Sequence, residues 1–263
     1  MIYCIWYPSG GFGHFINAVL SLYGNNFVRP SNQLEFSKNG NSHNFNLVVP
    51  KYKQDCWEGF QFDPMVNYSV LIDNGINNET TNFLKVFPTS NIIKICYTDY
   101  SWPIVARTMI EKAMSSSINE QLPSWDSAAW AVREKHFLYL RDHELRLKWK
   151  PNNNSYNIFI DELLNYQTFY NKLSNFGIAD FNTLWQQWFF ANSKYIEPII
   201  LAKKIISAVH ARENIDLTGY NDLWTQAVVY YFIWLEFEFE VPHNDYANWF
   251  TNTNDIVVML DLA

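Results

Sequence analysis

The sequence predicts an α/β protein with a central parallel sheet flanked by helices and a mainly helical second half. Three observations carry this. Short apolar runs rich in β-branched and aromatic residues recur at 2–7, 68–76 and 91–97, the pattern of strands covered on both faces. Each is followed by a segment whose apolar positions return at helical spacing, so strands and helices alternate as parallel βαβ units require. Between the first strand and the first helix stand Gly10, Gly11 and Gly13, three of the nine glycines in 263 residues. Ligands of open parallel sheets bind beyond the carboxyl ends of the strands, and this order brings the glycine turn, Asp73-Asn74 and Thr98-Asp99 to that edge.

Taken in order, Ile2 to Tyr7 carries no charge, Pro8 and Ser9 end the strand, and His14 opens a helix with Phe15, Ile16, Val19, Leu20, Leu22 and Tyr23 at helical spacing. The first amides of a helix have no partner within it and lie at the positive end of its dipole, so a turn of low bulk there suits a phosphate or sulfate group. A tight strand-to-helix connection is the other use of the same glycines. The turn lacks the Gly-Lys-Ser/Thr ending of a Walker loop and the third spaced glycine of a dinucleotide fingerprint.

Residues 25–63 turn polar, with one short strand expected at Phe45–Val49 and His43 read as a solvated loop residue. After the strand at Tyr68–Ile76, Asn78 or Thr80 caps a helix with Phe83, Leu84 and Phe87 inside, stopped by Pro88. The strand Asn91–Tyr97 leads through Thr98–Ser101 into a helix with Ser101 as its cap and Pro103 in its first turn. Farther on, an amphipathic pattern runs over 125–149, a short strand over 156–160, and a helix over 169–176 closed by Gly177. Helices follow at 181–193, 195–212 and 220–236, and Ile256–Leu260 is read as a last strand. Trp185, Trp188, Phe189 and Phe190 read as helix-packing residues, His243-Asn244-Asp245 as a turn. His136 and His143 share a helix face that reads as solvated, without a third ligand at suitable spacing, so no metal is expected.

Aromatic residues make up 18 % of the chain, with 11 Trp, 16 Tyr and 20 Phe, which predicts a ring-rich core. The formal net charge of −7 argues against a general nucleic-acid binder while allowing a local basic pocket. Cys4, Cys56 and Cys96 are odd in number and form no C-x-x-C pair, which predicts reduced thiols and a cytoplasmic setting. No signal-peptide pattern opens the chain and its longest apolar run, 227–235, is half the length of a membrane helix, so no membrane insertion is expected.

Tyr7-Pro8-Ser9-Gly10-Gly11-Phe12-Gly13-His14 resembles the Y-P-[KR]-S-G-T-T loop that follows strand one in the sulfotransferases using the nucleotide donor PAPS. Two more stretches are similar to that family in the same order. Val70–Gly75, the helix ending at Pro88 and Asn91–Tyr97 resemble its catalytic-base strand, helix and the strand before its 3′-phosphate site. Tyr156–Leu164, ending at Phe176-Gly177-Ile178, is similar to its strand, acidic-x-Leu-Leu and helix end. The resemblance covers about residues 1–180 of the chain and rests more on order and spacing than on identity.

This resemblance implies one sulfotransferase-like domain over 1–263, with a P-loop-like nucleotide-binding core over 1–118 and a helical half over 119–263. It further implies transfer of a sulfuryl group from PAPS, leaving PAP, to a hydroxyl or amine of a small-molecule or glycan acceptor. Carried over, the donor would meet Ser9, Gly10, Gly11, Phe12, Gly13, His14 and Phe15, with Thr98, Ser101 and Arg107 toward the 3′-phosphate, and His14 or Asp73 would assist catalysis. Two departures bear on this. Ser9 stands where the family has Lys or Arg, and Asp99 would repel a phosphate beside it. The stretch G-G-F-G also resembles the loop of GDP-fucose-dependent fucosyltransferases, so a nucleotide-sugar-dependent transferase and a non-catalytic protein keeping the fold stay open, as does a homo-oligomer.

Overall fold

The computed structural model describes residues 1–8, 11–29, 61–73, 79–115, 129–143, 146, 151, 153–241 and 249–262, with the backbone alone at 73, 79–82, 111–115 and 129–132. Ser9, Gly10, His43, Cys56, the strand expected at Phe45–Val49, the beginning of the 125–149 pattern and the turn at His243-Asn244-Asp245 lie outside these residues.

Strands β1 (Ile2–Tyr7), β2 (Tyr68–Asp73), β3 (Asn91–Cys96) and β4 (Tyr156–Phe159) form one all-parallel sheet in the order β2-β1-β3-β4. Helices flank it, and the α/β reading of the sequence is met. The register sets Tyr7 opposite Asp73, Trp6 opposite both Ile72 and Lys94, and Cys96 opposite Phe159. Alternation along the strands sorts the side chains. Cys4, Tyr68, Val70 and Ile72 gather on one face with Phe83 of α2 (Glu79–Val86) and with Phe62 and Phe87 at the margin. Burying each of these large side chains contributes roughly 1.5–3 kcal/mol, which is what fixes the register against a one-residue slip. On the opposite face lies α1 (Gly13–Tyr23), whose Ser21 hydroxyl shares a 2.8 Å hydrogen bond with that of Ser69.

The chain divides into two compact units, one of residues 1–98 with 149–193, the other of 99–148 with 194–263. The first is discontinuous because β4 returns to pair with β3. After β4 come α5 (Ile160–Leu163), α6 (Tyr166–Leu173), a 3₁₀ turn at Ser174–Phe176 and α7 (Asn182–Ala191). Gly177 closes the turn at φ 61, the left-handed conformation that made glycine the expected residue there.

The second unit holds α3 (Trp102–Ser115), α4 (Ala129–Asp142), α8 (Ser193–Ala211), α9 (Leu223–Phe237) and α10 (Thr253–Asp261). Residues Gln226 to Ile233 of α9 are all buried, so this helix is apolar on every side and lies at the centre, with α4 packed along it. Asp222 starts α9 by accepting the Thr225 amide at 2.8 Å. No described helix is long and apolar enough to cross a membrane.

Two expectations from the sequence are overturned in this unit. Ile256–Leu260 is helical, lying within α10. Its β-branched residues suggested a strand, but Asn252 and Asp255 make a reciprocal capping box at the helix start, and that local chemistry prevails. His136 is 1 % exposed rather than solvated, because its face of α4 turns inward onto Trp224, with ring centroids 5.4 Å apart.

Candidate functional site

The carboxyl edge of the sheet is the natural starting point, since the order β2-β1-β3-β4 has its topological switch between β1 and β3. The chain leaves β1 at Tyr7, passes Pro8, and turns so that the Gly11 amide donates to the Pro8 carbonyl at 2.7 Å. Phe12 then adopts φ 59 and ψ 25 as the residue before α1, and its carbonyl accepts the Phe15 and Ile16 amides. The left-handed residue is thus Phe12, whereas Gly11 and Gly13 are not at positive φ. Those glycines serve close approach instead. A Cβ at Gly13 would stand 2.4 Å from the Tyr7 ring, and one at Gly11 2.6 Å from Pro8 Cδ.

Aromatic packing holds Phe12 in its strained conformation. Its ring meets Trp188 edge-on at 5.1 Å, and Phe15 stacks on the same indole at 4.6 Å and 7°. Trp188 comes from α7, on the returning segment of this unit, so no local motif announces it. His14, in the first turn of α1, is 7 % exposed and lies edge-on to Tyr7 at 6.3 Å. Asn17, one turn on, is buried with no hydrogen-bond partner for its Oδ1 among the described residues.

Of the other residues singled out in the sequence, Asp73 ends β2 in register with Tyr7, so the two strand ends and the turn share one edge. Thr98 lies just beyond β3, and its hydroxyl donates to Asp161 of α5 at 2.8 Å. Ser101 and Arg107 belong to the second unit. There Ser101 is fully buried at the start of α3, its carbonyl accepting the Ile104 amide at 3.1 Å, and Arg107 lies 5.2 Å over the Trp224 ring. Asp99 is held in an ion pair with Arg146 at 2.9 Å, which answers the charge that it would have turned on a phosphate.

Lys94 was not legible as more than a charge interrupting a strand. It is 7 % exposed inside β3, with its ammonium 4.6 Å over the Trp6 ring, and burial lowers its pKa. Cys96, on the same face of β3, faces Asn157 at 3.6 Å and has its thiol pushed up to about 11 by burial; Cys4 is pushed up to about 12 for the same reason. Neither thiol offers a thiolate nucleophile at neutral pH. Among the described residues no three His, Cys, Asp or Glu side chains come together as a metal site. No family model, no curated protein and no solved structure matches the chain.

Proposed function

We propose that the chain is a sulfotransferase-like transferase that takes a sulfuryl group from PAPS to a hydroxyl or amine acceptor at the carboxyl edge of its sheet. The observation that carries this reading is the sheet order, which sets the glycine turn after β1 and Thr98 after β3 on the two sides of the switch point. In the step, the acceptor oxygen or nitrogen bonds to sulfur, the bond from sulfur to the 5′-phosphate oxygen breaks, and PAP leaves. The acceptor proton passes to Asp73, whose strand end is opposite Tyr7, or to His14. The amides of Gly13 and His14, at the positive end of α1, would carry the charge that collects on the transferred group.

One observation favours a second reading, a protein that keeps the fold without the donor site. Gly11 and Gly13 have their open sides filled by Pro8 and Tyr7, so their lack of a side chain is already accounted for by packing. Calorimetric titration with PAP, with GDP and ATP beside it, separates the readings. The transferase reading expects PAP to bind and to raise the unfolding temperature by mass action, and expects Ser9→Glu to abolish both. Absence of PAP binding at millimolar concentration would sink it; preference for GDP would favour a nucleotide-sugar donor.

A further inference from the structure

The second unit contains a cavity of about 550 Å³ between α8, the start of α9 and Arg107 of α3. Its size is that of a site for one small molecule, for which about 300–1,000 Å³ is usual. Lys194, Glu197, Pro198, Leu201 and Lys204 enter it from α8, each three or four residues from another of the set, the spacing that puts them on one helical stripe. Two properties of the lining decide what it suits.

The first is charge. Arg107, Lys194 and Lys204 face two acids, Glu197 and Asp222, and the Asp222 carboxylate already accepts the Thr225 amide at 2.8 Å and its hydroxyl at 2.7 Å. The balance is positive. Arg107 lies 5.2 Å over the Trp224 face. The second property is an apolar surface. Pro198 and Leu201 are buried in the lining, whereas Ile200 and Tyr220 remain 51 % and 36 % exposed. Two large exposed apolar side chains beside a cavity are what the body of a bound molecule would cover.

We propose that this cavity binds a small organic anion, one carboxylate or sulfonate head on a compact apolar body. The head would lie among Lys194, Lys204 and Arg107, the body against Leu201, Ile200 and Tyr220. A bare inorganic anion would leave the apolar side chains uncovered, and an organic cation would meet three like charges against two acids.

The test is calorimetric titration of the full chain at low salt with 1-naphthalenesulfonate and with decanoate, using decyltrimethylammonium and inorganic sulfate as contrasts. Both organic anions are expected to bind at one site, and neither contrast to compete. Lys204→Glu, an exposed position that leaves the core intact, should weaken both by about ten-fold or more, since it turns an attraction into a repulsion at short range. Leu201→Trp should block them by filling the floor. Should that variant fail to fold by circular dichroism, Ile200→Asp serves in its place. Equal binding of decyltrimethylammonium, no binding of either anion at millimolar concentration, or unchanged affinity in Lys204→Glu would overturn the proposal.

Discussion

Trp188 and Trp224 are both fully buried, at 0 % and 1 % exposure, yet they do opposite things. Trp188, in the first unit, takes Phe15 on its face and Phe12 on its edge, an all-aromatic contact at the turn after β1. Trp224, in the second unit, takes the half-buried Arg107 guanidinium at 5.2 Å and the buried His136 ring at 5.4 Å, and so sets a cation and an imidazole against one indole. The same residue type excludes polarity in one place and hosts it in the other. What differs is the company: phenylalanines around the first, charged and titratable groups from α3 and α4 around the second.

The sharpest way to break this contrast is to remove Trp188. Trp188→Ala should cost about 3–5 kcal/mol, the range for deleting a large buried aromatic, and should release Phe12 from its left-handed conformation. Urea unfolding reads the loss. A cost below about 1 kcal/mol would mean that the turn is held by its own hydrogen bonds and that the stack is incidental.

The second unit predicts a pH effect instead. Burial, reinforced by Arg107, lowers the His136 pKa from 6.5 to about 4. The folded state therefore keeps the ring neutral while the unfolded chain takes a proton. Above the unfolded value, near pH 6.5, the full stability is present, and it falls as the pH drops through the folded value, by about 3 kcal/mol in all at about 1.4 kcal/mol per unit. Unfolding curves at pH 7 and at lower pH should show that decline, and His136→Gln should flatten it. A slope unchanged in the variant would assign the effect to other groups.

Glycine substitutions sharpen the comparison further. Gly13→Ala would drive a Cβ to 2.4 Å from the buried Tyr7 ring and should destabilise by about 1–3 kcal/mol, as overpacking does. Gly219, in the second unit, has nothing within 4 Å of an added Cβ and is not at positive φ. Gly219→Ala should be neutral or stabilise by about 0.4–1 kcal/mol through the unfolded chain. Equal effects at the two sites would show that the glycine turn is looser than its packing implies.

The parallel sheet was legible because its signal is local: apolar runs, caps and glycines read out strand by strand. Gly177 was legible for the same reason. The close contacts of the glycine turn were not legible, since a glycine that passes a Tyr7 ring leaves the same letter in the chain as any other. Trp188 was legible as a helix-packing residue, but its partners Phe12 and Phe15, like the cations of the second-unit cavity, were hidden by distance in the chain. Arg107 lies far from Lys194 and Lys204 in sequence, and only the packing of α3 against the later helices brings them to one lining. His136 was misread because its helix carries charge on more than one face, so the moment that would mark an inner side is weak.

A small and local effect comes from α10, where a cap overruled a strand-like run. Asn252 accepts the Asn254 amide at 2.9 Å, while the Asp255 carboxylate takes the Thr251 amide at 2.7 Å and the Asn252 amide at 3.2 Å. Asn252→Ala should cost about 1 kcal/mol, the usual value of a lost cap, with a small fall in helical circular dichroism. Thr253 limits the damage, because its hydroxyl accepts the Ile215 amide and donates to the Glu213 carbonyl, anchoring the first turn whatever the cap does. Asn252 does not titrate. Its loss should therefore be the same at pH 7 and at pH 5, adding to the His136 slope as independent sites do. A loss that grows at the lower pH would mean that α10 and the Trp224 core unfold as coupled parts, and the slope could then no longer be assigned to His136 alone.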